Sequence, residues 1–316
     1  MGCANKIPGV SGGIVALISG FYIELIESFK CFNLKSFRLL KEGKIKDFFY
    51  FTNSKFLFFI FFGVLISFFT ISLALDFLII NYEKQVLGWF FGMILSSIYF
   101  IFIKIENYGK KEFSATMIGL IFGLSLILIE PGIEKNSLIF ILISGFISVS
   151  GMVLPGLSGS YLLLVIGNYK LILIDSVNNL LFIIKDLMGL NFAFLNNPDK
   201  LFMLQTIIVF TIGSILGLVT LSNLISLLLK QYEKITVSVL VGFIIGTSPS
   251  IWPWKEMNNL IENIQNTEEV QISNMIMGKL FFPNSLSIEN LNILFFIILG
   301  IAIIVILEKY GNKQKK

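Results

Sequence analysis

Two short stretches rich in glycine and serine are the places where this sequence could bind an anion. Motif 1 is Pro8-Gly9-Val10-Ser11-Gly12-Gly13, and motif 2 is the closely similar Pro155-Gly156-Leu157-Ser158-Gly159-Ser160. Both adjoin apolar sequence, and because proline has no backbone N–H, we expect a helix to break and restart at each motif. The start of a helix presents free N–H groups and the positive end of the helix dipole. The predicted chemistry is therefore binding of phosphate or another anion.

The candidate ligand-binding residues are the glycines and serines of the two motifs. The hydroxyl groups would donate hydrogen bonds, and the glycines would let a ligand approach the backbone closely. These residues are Gly9, Ser11, Gly12, Gly13, Gly156, Ser158, Gly159 and Ser160. The alternative is that each motif is only a helix-breaking turn with packing glycines. The occurrence of two copies disfavours that alternative, because broken segments at corresponding positions are typical of transporter binding sites.

Four further residues could contact a charged ligand or couple its movement to an ion gradient. Lys6 lies beside motif 1 and could supply a counter-charge, although an ordinary flanking lysine explains it equally well. Tyr22 and Tyr169 follow their motifs at the same spacing, and could either reach a ligand or anchor the chain at the membrane interface. Asp76 lies well inside an apolar run. It could couple transport to an ion gradient, or it could be an acid that snorkels to the interface or lines a pore.

Composition identifies the chain as a polytopic membrane protein. Of its 316 residues 55% are hydrophobic and 14% are charged. Apolar runs of about 20 residues recur along it, which is the length of a membrane-spanning helix. The chain has no histidine, which excludes histidine-ligated zinc and histidine bases. Its net charge of +4 comes mainly from loop lysines and does not indicate nucleic-acid binding, and we expect no cofactor or metal.

The distribution of lysine and arginine predicts the orientation in the membrane. Apolar segments fall at roughly 7–29, 56–80, 86–103, 115–130, 137–154, 157–174, 203–229, 235–251 and 290–307. With the basic loop 30–55 in the cytoplasm, sixteen basic residues lie inside and seven outside, with Lys6 unassigned. The loop that follows motif 1 is then inside, and the loop that follows motif 2 (175–202) is outside. The two motif-bearing repeats are therefore predicted to have opposite orientations.

A second repeated feature supports an internal duplication. The motifs are offset by 147 positions, and Tyr82-Glu83-Lys84 recurs as Tyr232-Glu233-Lys234 at an offset of 150. We predict an all-α polytopic membrane protein with two inverted repeats, whose re-entrant or broken helices meet at the two motifs. The first repeat spans 1–130, and the second spans 131–316 with outer loops 175–202 and 252–289. Charge alone does not decide between two crossings and a re-entrant hairpin at motif 2, but its uncharged tip favours the hairpin.

The motifs resemble those of the bacterial polyprenyl-phosphate transporter family. The resemblance is carried by three stretches in the same order, and it covers nearly the whole chain. They are Gly2-x-Ala4-x-x-x-Pro8 through Gly13 with Gly20-x-Tyr22, Leu154 through Ser160 with Gly167-x-Tyr169, and Trp252-Pro253-Trp254-Lys255. The family pattern implies aspartate at position 5, where this chain has Asn5, and its acid after Gly-x-Tyr falls one place late, at Glu24. We interpret Trp252 and Trp254 as part of an interfacial belt.

The resemblance implies a carrier, not an enzyme. Its substrate would be undecaprenyl phosphate, returned from the outer to the inner leaflet of the bacterial cytoplasmic membrane for reuse in envelope polymer synthesis. A proton or sodium gradient could drive it, with Asn5 at the position of the family's acid. The residues themselves leave open an anion channel or small-anion transporter. A lipid-phosphate phosphatase is disfavoured by the lack of histidine and of an acidic cluster.

Overall fold

The computed structural model is built almost entirely of helices. It describes residues 1–2, 12–105, 107–129, 133–156, 158–189, 194, 197–256, 279–283 and 287–314. The helices are α1 Gly12–Ile18, α2 Tyr22–Lys30, α3 Leu34–Lys41, α4 Ile45–Phe51, α5 Ser54–Ile103, α6 Lys110–Ile127, α7 Leu138–Ser148, α8 Ser150–Val153, α9 Gly159–Ile166, α10 Val177–Met188, α11 Pro198–Thr247 and α12 Ile288–Gln314. A π-helical stretch (Lys170–Ser176), a 3-10 turn (Ser248–Ile251) and a two-residue antiparallel ladder of β1 (Lys255–Glu256) with β2 (Lys279–Leu280) complete the described elements.

Several helices have the length and composition needed to cross a membrane. Within the described ranges these are Asn81–Ile103, Pro198–Ile251 and Ile288–Ile306. The pair Gly159–Ile166 and Lys170–Asp186, bent by 112°, would make a fourth if it counts as one broken span. The prediction of an all-α membrane protein is therefore confirmed.

The two longest helices, α5 and α11, are each 50 residues long and each bends at a tyrosine. Tyr82 has φ −140° and ψ 40°, and Tyr232 has φ −138° and ψ 48°, so the same non-helical conformation occurs at the same offset of 150. These are the tyrosines of the repeated Tyr-Glu-Lys sequence, which separates one predicted apolar segment from the next.

Contacts with motif 2 show that the bend in α11 is sharp. A Cβ added at Gly217 would lie 2.8 Å from Val149, and a Cβ added at Gly156 would lie 3.1 Å from Thr247. Residues 149 and 156 can be at most about 25 Å apart along an extended chain. A straight helix would separate residues 217 and 247 by about 45 Å. The two arms of α11 therefore fold back on each other, with Tyr232 at the apex.

The second arm of α11 packs backbone to backbone against α6. A Cβ at Gly119 would lie 2.1 Å from the carbonyl oxygen of Val239, and a Cβ at Gly242 would lie 1.9 Å from that of Thr116. No side chain larger than hydrogen fits at either glycine. Such close approach maximises van der Waals contact, which is the main source of helix association within a membrane.

The second arm of α5 packs against α12 in the same way. A Cβ at Gly300 would lie 2.1 Å from the carbonyl oxygen of Trp89, and a Cβ at Gly92 would lie 2.0 Å from that of Ile297. Each contact has a counterpart between α11 and α6. On the bent helices Gly92 corresponds to Gly242, at an offset of 150, and on their partner helices Gly119 corresponds to Gly300, at an offset of 181. The last helix of each half thus packs on the bent helix of the other half. An internal two-fold relation would produce this pattern, and the inverted repeat itself stays a prediction.

Ion pairs join residues that the lysine count places on the same side of the membrane. On the predicted cytoplasmic side they are Glu27–Lys230 at 2.8 Å and Lys104–Glu308 at 2.7 Å. On the opposite side they are Lys84–Glu289 at 2.7 Å and Asp186–Lys200 at 3.3 Å. Each pair thus joins residues of one predicted side, and the sidedness itself stays a prediction.

The structure corrects the sequence analysis in the region after motif 2. The apolar segment 157–174 is not one helix, because α9 ends at Ile166 and Gly167 adopts a left-handed conformation with φ 90°. The predicted outer loop 175–202 contains the helix α10. Periodicity missed the break because the apolar sequence continues on both sides of Gly167.

Candidate functional site

Motif 2 lies at the tip of a helical hairpin made by α7, α8 and α9. The first arm, α7 with α8, spans 138–153 and extends at most about 24 Å, and α9 extends about 12 Å, so both are shorter than the ~30 Å hydrocarbon core. Asn168, which is fully buried, closes the base of the hairpin. Its side-chain oxygen accepts from the Lys135 N–H at 2.9 Å, and its amide donates to the Lys135 carbonyl at 3.1 Å. The hairpin therefore starts and ends at one place, which favours the re-entrant interpretation.

The tip itself is a tight turn that requires glycine at position 156. Gly156 has φ 99°, a conformation that other residues rarely adopt. A side chain there would also press against Ile244 and Thr247 of α11, each 3.1 Å from the added Cβ. The turn reverses the chain after Pro155, so the start of α9 lies at the tip of the hairpin.

The start of α9 gathers hydrogen-bond donors. Ser158 is the residue before the helix, is buried, and has an extended backbone (φ −93°, ψ 133°). Its hydroxyl lies 2.7 Å from that of Ser160 instead of capping a backbone N–H. The Leu162 N–H bonds to the Ser158 carbonyl at 3.1 Å, and the N–H groups before it precede the first helical bond. Two hydroxyls and the first-turn N–H groups thus lie within one turn, an arrangement suited to an anion.

Gly159 has a packing role that accounts for its lack of a side chain. A Cβ there would lie 2.6 Å from the carbonyl oxygen of Ser148, and a Cβ on Gly151 would lie 2.4 Å from the Gly159 nitrogen. The Ser148 hydroxyl donates to the Gly159 carbonyl at 3.1 Å. Packing is therefore sufficient to explain why residue 159 is glycine, and its predicted contact with a ligand stays a prediction.

Motif 1 is described only in part. Asn5, Lys6, Gly9 and Ser11 lie outside the described residues, so their predicted roles stay predictions. Gly12 and Gly13 form the buried first turn of α1. The chain breaks again at Gly20, which has φ 78°, before α2 begins.

Tyr22 connects the segment of motif 1 to the hairpin of motif 2. Its buried hydroxyl donates to the carbonyl of Val153 at 2.7 Å, two residues before Pro155. The structure therefore brings the Gly-x-Tyr sequence of the first half against the second motif. Tyr169 is also buried, in an apolar cluster with Leu171 and Phe243. The side chain of Asp76 lies outside the described part of α5.

The segment after α11 contains a residue for which no role was predicted. Lys255 is partly buried, and its amino group donates to the Ser250 carbonyl. Burial lowers the pKa of Lys255 to about 7, against the opposing attraction of the nearby Glu83 carboxylate. Its place in the Trp-Pro-Trp-Lys sequence was the signal that could have identified it.

The interpretation of Trp254 as an interfacial residue is wrong. Trp254 is 5% exposed and packs with Ile14 and Ile251 in one apolar cluster. Its indole N–H donates to the Asn290 side chain at 2.8 Å. Trp252 is partly buried and donates to the Phe281 carbonyl at 3.0 Å. Both tryptophans hold the segment after α11 against the rest of the molecule.

Comparison with known proteins identifies relatives over nearly the whole chain. Residues 1–271 match the VCA0040-like family, described as undecaprenyl phosphate translocase-like. A polyprenyl-phosphate transporter from Vibrio cholerae is 30% identical over 315 residues, which are 99% of this chain and 94% of that protein. A polyprenyl-phosphate transporter from Staphylococcus aureus is 24% identical over 266 residues, which are 80% of this chain and 83% of that protein. No solved structure matches. The chain belongs to the undecaprenyl phosphate translocase-like family.

Proposed function

We propose that this protein carries polyprenyl phosphate from the outer to the inner leaflet of the bacterial cytoplasmic membrane. Its family and the two polyprenyl-phosphate transporters support the substrate. The observation that carries the mechanism is the cluster of hydroxyl and N–H donors at the start of α9, on a hairpin too short to cross the membrane. The role is transport of an intact lipid, without a catalytic step.

The physical problem is the charge of the head group. A phosphate monoester carries about −1.5 to −2 charges near neutral pH, and moving it through hydrocarbon unaided is prohibitive. Ser158 and Ser160 would donate hydrogen bonds to the phosphate oxygens, and the positive end of the α9 dipole would face its charge. The isoprenoid tail can stay in the lipid throughout, because it is as apolar as the surrounding acyl chains. Only the head group needs a polar path.

Opposite orientation of the two repeats would let the same pocket open to either side. Motif 1 would contribute a second set of donors, through Gly9, Ser11, Gly12 and Gly13. The Tyr22–Val153 hydrogen bond supports a site shared by both motifs, because it holds the two segments in contact. An ion gradient would supply the driving force, with Asp76 as a candidate coupling acid.

The test is a leaflet assay on purified protein reconstituted in vesicles that contain undecaprenyl phosphate. Ser158→Ala should weaken binding by about 1–3 kcal/mol, because it removes a buried donor. Ser158→Asp should abolish transfer, since it places a negative charge against an anion in a low-dielectric site. Ser125→Ala is the matched control, because that exposed hydroxyl on α6 bonds only within its own helix.

Transfer that is unchanged in both Ser158 variants would refute the phosphate-binding role of motif 2. Ion conductance in planar bilayers without lipid transfer would identify an anion channel instead. Release of inorganic phosphate from the lipid would identify a phosphatase. Within the described residues no group of three or more histidine, cysteine or acidic side chains could hold the metal that many phosphatases need.

A further inference from the structure

The segment 247–255, which begins at the last residue of α11, contacts both motif-bearing parts of the chain. Its first residue, Thr247, packs against Gly156 at the tip of motif 2. The Ser250 hydroxyl donates to the Thr247 carbonyl at 2.7 Å and so continues the turn. Further along, Ile251 and Trp254 pack with Ile14, which lies in the first helix after motif 1. A side chain held on this segment is therefore close to the tip of motif 2 and to α1.

Lys255 is held on this segment by three separate contacts. Its amino group reaches back to the Ser250 carbonyl, which is one helical turn, about 5 Å, beyond Thr247. Its backbone pairs with Leu280 in the β-ladder. The preceding residue is anchored by the indole hydrogen bond to Asn290. The ammonium group is thus fixed beside the segment that touches motif 2.

We propose that Lys255 supplies the full positive charge that faces the phosphate head group when the lipid is bound at motif 2. The inference rests on the proposed function, since it assumes that the phosphate binds at the tip of the hairpin. Hydroxyls and N–H groups offer only partial charges, and a helix end contributes roughly half a charge. A phosphate with nearly two negative charges therefore needs a cation, and lysine is a common point-charge partner of phosphate.

Six other described lysines have partners away from motif 2. Lys84, Lys104, Lys200 and Lys230 form ion pairs with carboxylates. The ammonium groups of Lys35 and Lys135 lie over phenylalanine rings, 4.7 and 4.8 Å from the ring centroids. Lys255 donates to the Ser250 carbonyl, on the segment that contacts motif 2. An ammonium group has three donors and can bond to more than one acceptor at a time.

A purely structural role predicts different behaviour. A lysine that bonds the last carbonyls of a helix also stabilises that helix end. In that case Lys255→Met would lower the melting temperature without changing which lipid binds. A role in head-group binding predicts a loss that is specific to the phosphorylated lipid.

The charge of Lys255 also predicts a dependence on pH. The charged groups on the described elements around it are Glu83 and Lys84 on α5, Glu289 on α12, and Glu256 and Lys279 on the ladder. With a pKa of about 7, Lys255 in the absence of lipid loses its proton as pH rises through 7, and a bound phosphate would hold that proton. The contribution of Lys255 to the affinity should therefore be greatest below pH 7 and fall above it by up to tenfold per pH unit.

The experiment measures ligand-induced stabilisation of the purified full chain by undecaprenyl phosphate and by uncharged undecaprenol. Lys255→Met should weaken binding of the phosphate at least tenfold and leave the response to undecaprenol unchanged. Lys255→Arg should retain binding and remove the fall in affinity above pH 7 that the unmodified protein shows. The phosphate titrates in the same way with both proteins, so the ratio of the affinity of Lys255→Arg to that of the unmodified protein is independent of that titration. Lys84→Met is the control, because it removes a lysine already paired with Glu289.

Two outcomes separate the inference from the proposed function. If the unmodified protein does not respond to undecaprenyl phosphate, the proposed function fails and the inference falls with it. If it does respond and Lys255→Met responds equally, only the role of Lys255 is overturned. If Lys255→Met does not fold, the pH profile of Lys255→Arg decides: a fall in affinity above pH 7 that matches the unmodified protein overturns the inference.

Discussion

Removing the hydroxyl of Tyr22 should uncouple the two motif-bearing segments. In Tyr22→Phe the ring stays in place, and only the 2.7 Å hydrogen bond to the Val153 carbonyl is lost. Tyr22 is 2% exposed and Val153 is fully buried, so water cannot replace the lost donor. An unsatisfied buried carbonyl costs about 1–3 kcal/mol. We therefore expect a lower melting temperature, and slower lipid transfer because the position of one motif relative to the other is no longer fixed.

The matched control is Tyr108→Phe, which removes the same hydroxyl group at a distant site. Tyr108 donates to the Thr116 hydroxyl at 2.9 Å near the start of α6. Thr116 can still donate to the Glu112 carbonyl, so the loss should be smaller, about 0.5–1.5 kcal/mol. Melting temperature and reconstituted transfer are measured on the same preparations. Tyr108→Phe shows how much transfer falls for a given loss of stability. In Tyr22→Phe the rate of transfer should fall by more than that relation predicts.

Two results would refute this reasoning. An unchanged melting temperature would mean that the Tyr22 hydroxyl bond contributes nothing to the fold. A lower melting temperature with normal transfer would mean that the bond is packing only and does not set the geometry of a shared site.

Three further predictions test the fold. Gly242→Ala should destabilise the protein by about 1–3 kcal/mol, because its Cβ would lie 1.9 Å from the Thr116 carbonyl oxygen. The control is Gly63→Ala on α5, where an added Cβ has nothing within 4 Å, and it should be neutral or slightly stabilising in thermal unfolding. Asn168→Ala should lower the melting temperature by removing both hydrogen bonds that close the hairpin of motif 2, and a normal melting curve would contradict that role. Single cysteines in 30–55 should be labelled only from the cytoplasm, and those in 175–202 only from outside; labelling of 30–55 in intact cells would overturn the topology.

The sequence predicted features that repeat along the chain, because repetition is visible without any knowledge of contacts. Motif 2 predicted the break in the chain that the structure has at Gly156, and the recurrent Tyr-Glu-Lys lies between the predicted apolar segments at the places where Tyr82 and Tyr232 bend the helices. It did not predict how the hairpin of motif 2 is closed. Asn168 and Lys135 are 33 positions apart, and neither side chain signals a pairing that only the reversal at Gly156 makes available.

The packing roles of Gly159 and Trp254 were not predicted, because they depend on partners that are distant in the sequence. Gly159 suggested access for a ligand, but its missing side chain is filled by the Ser148 carbonyl. Trp254 suggested a membrane interface, but the 3-10 turn and the β-ladder carry it into the core beside Asn290. Both contacts join distant parts of the chain, and composition and periodicity contain no information about such contacts.

The glycine contacts also limit where a carrier of this fold can move. The second arm of α5 is locked to α12, and α11 is locked to α6, because backbones touch at Gly92 and Gly242. Sliding by even one residue, about 1.5 Å, would drive a larger side chain into a carbonyl. Movement is therefore easier between these two pairs of helices than within either of them.

The candidate cation for the head group lies between the two pairs. Glu83 belongs to one pair and Lys255 follows the other, so the positive charge of Lys255 lies where the two pairs would separate. A cysteine cross-link within the α5–α12 contact should accordingly leave transfer intact, and a block of transfer by that cross-link would contradict this division.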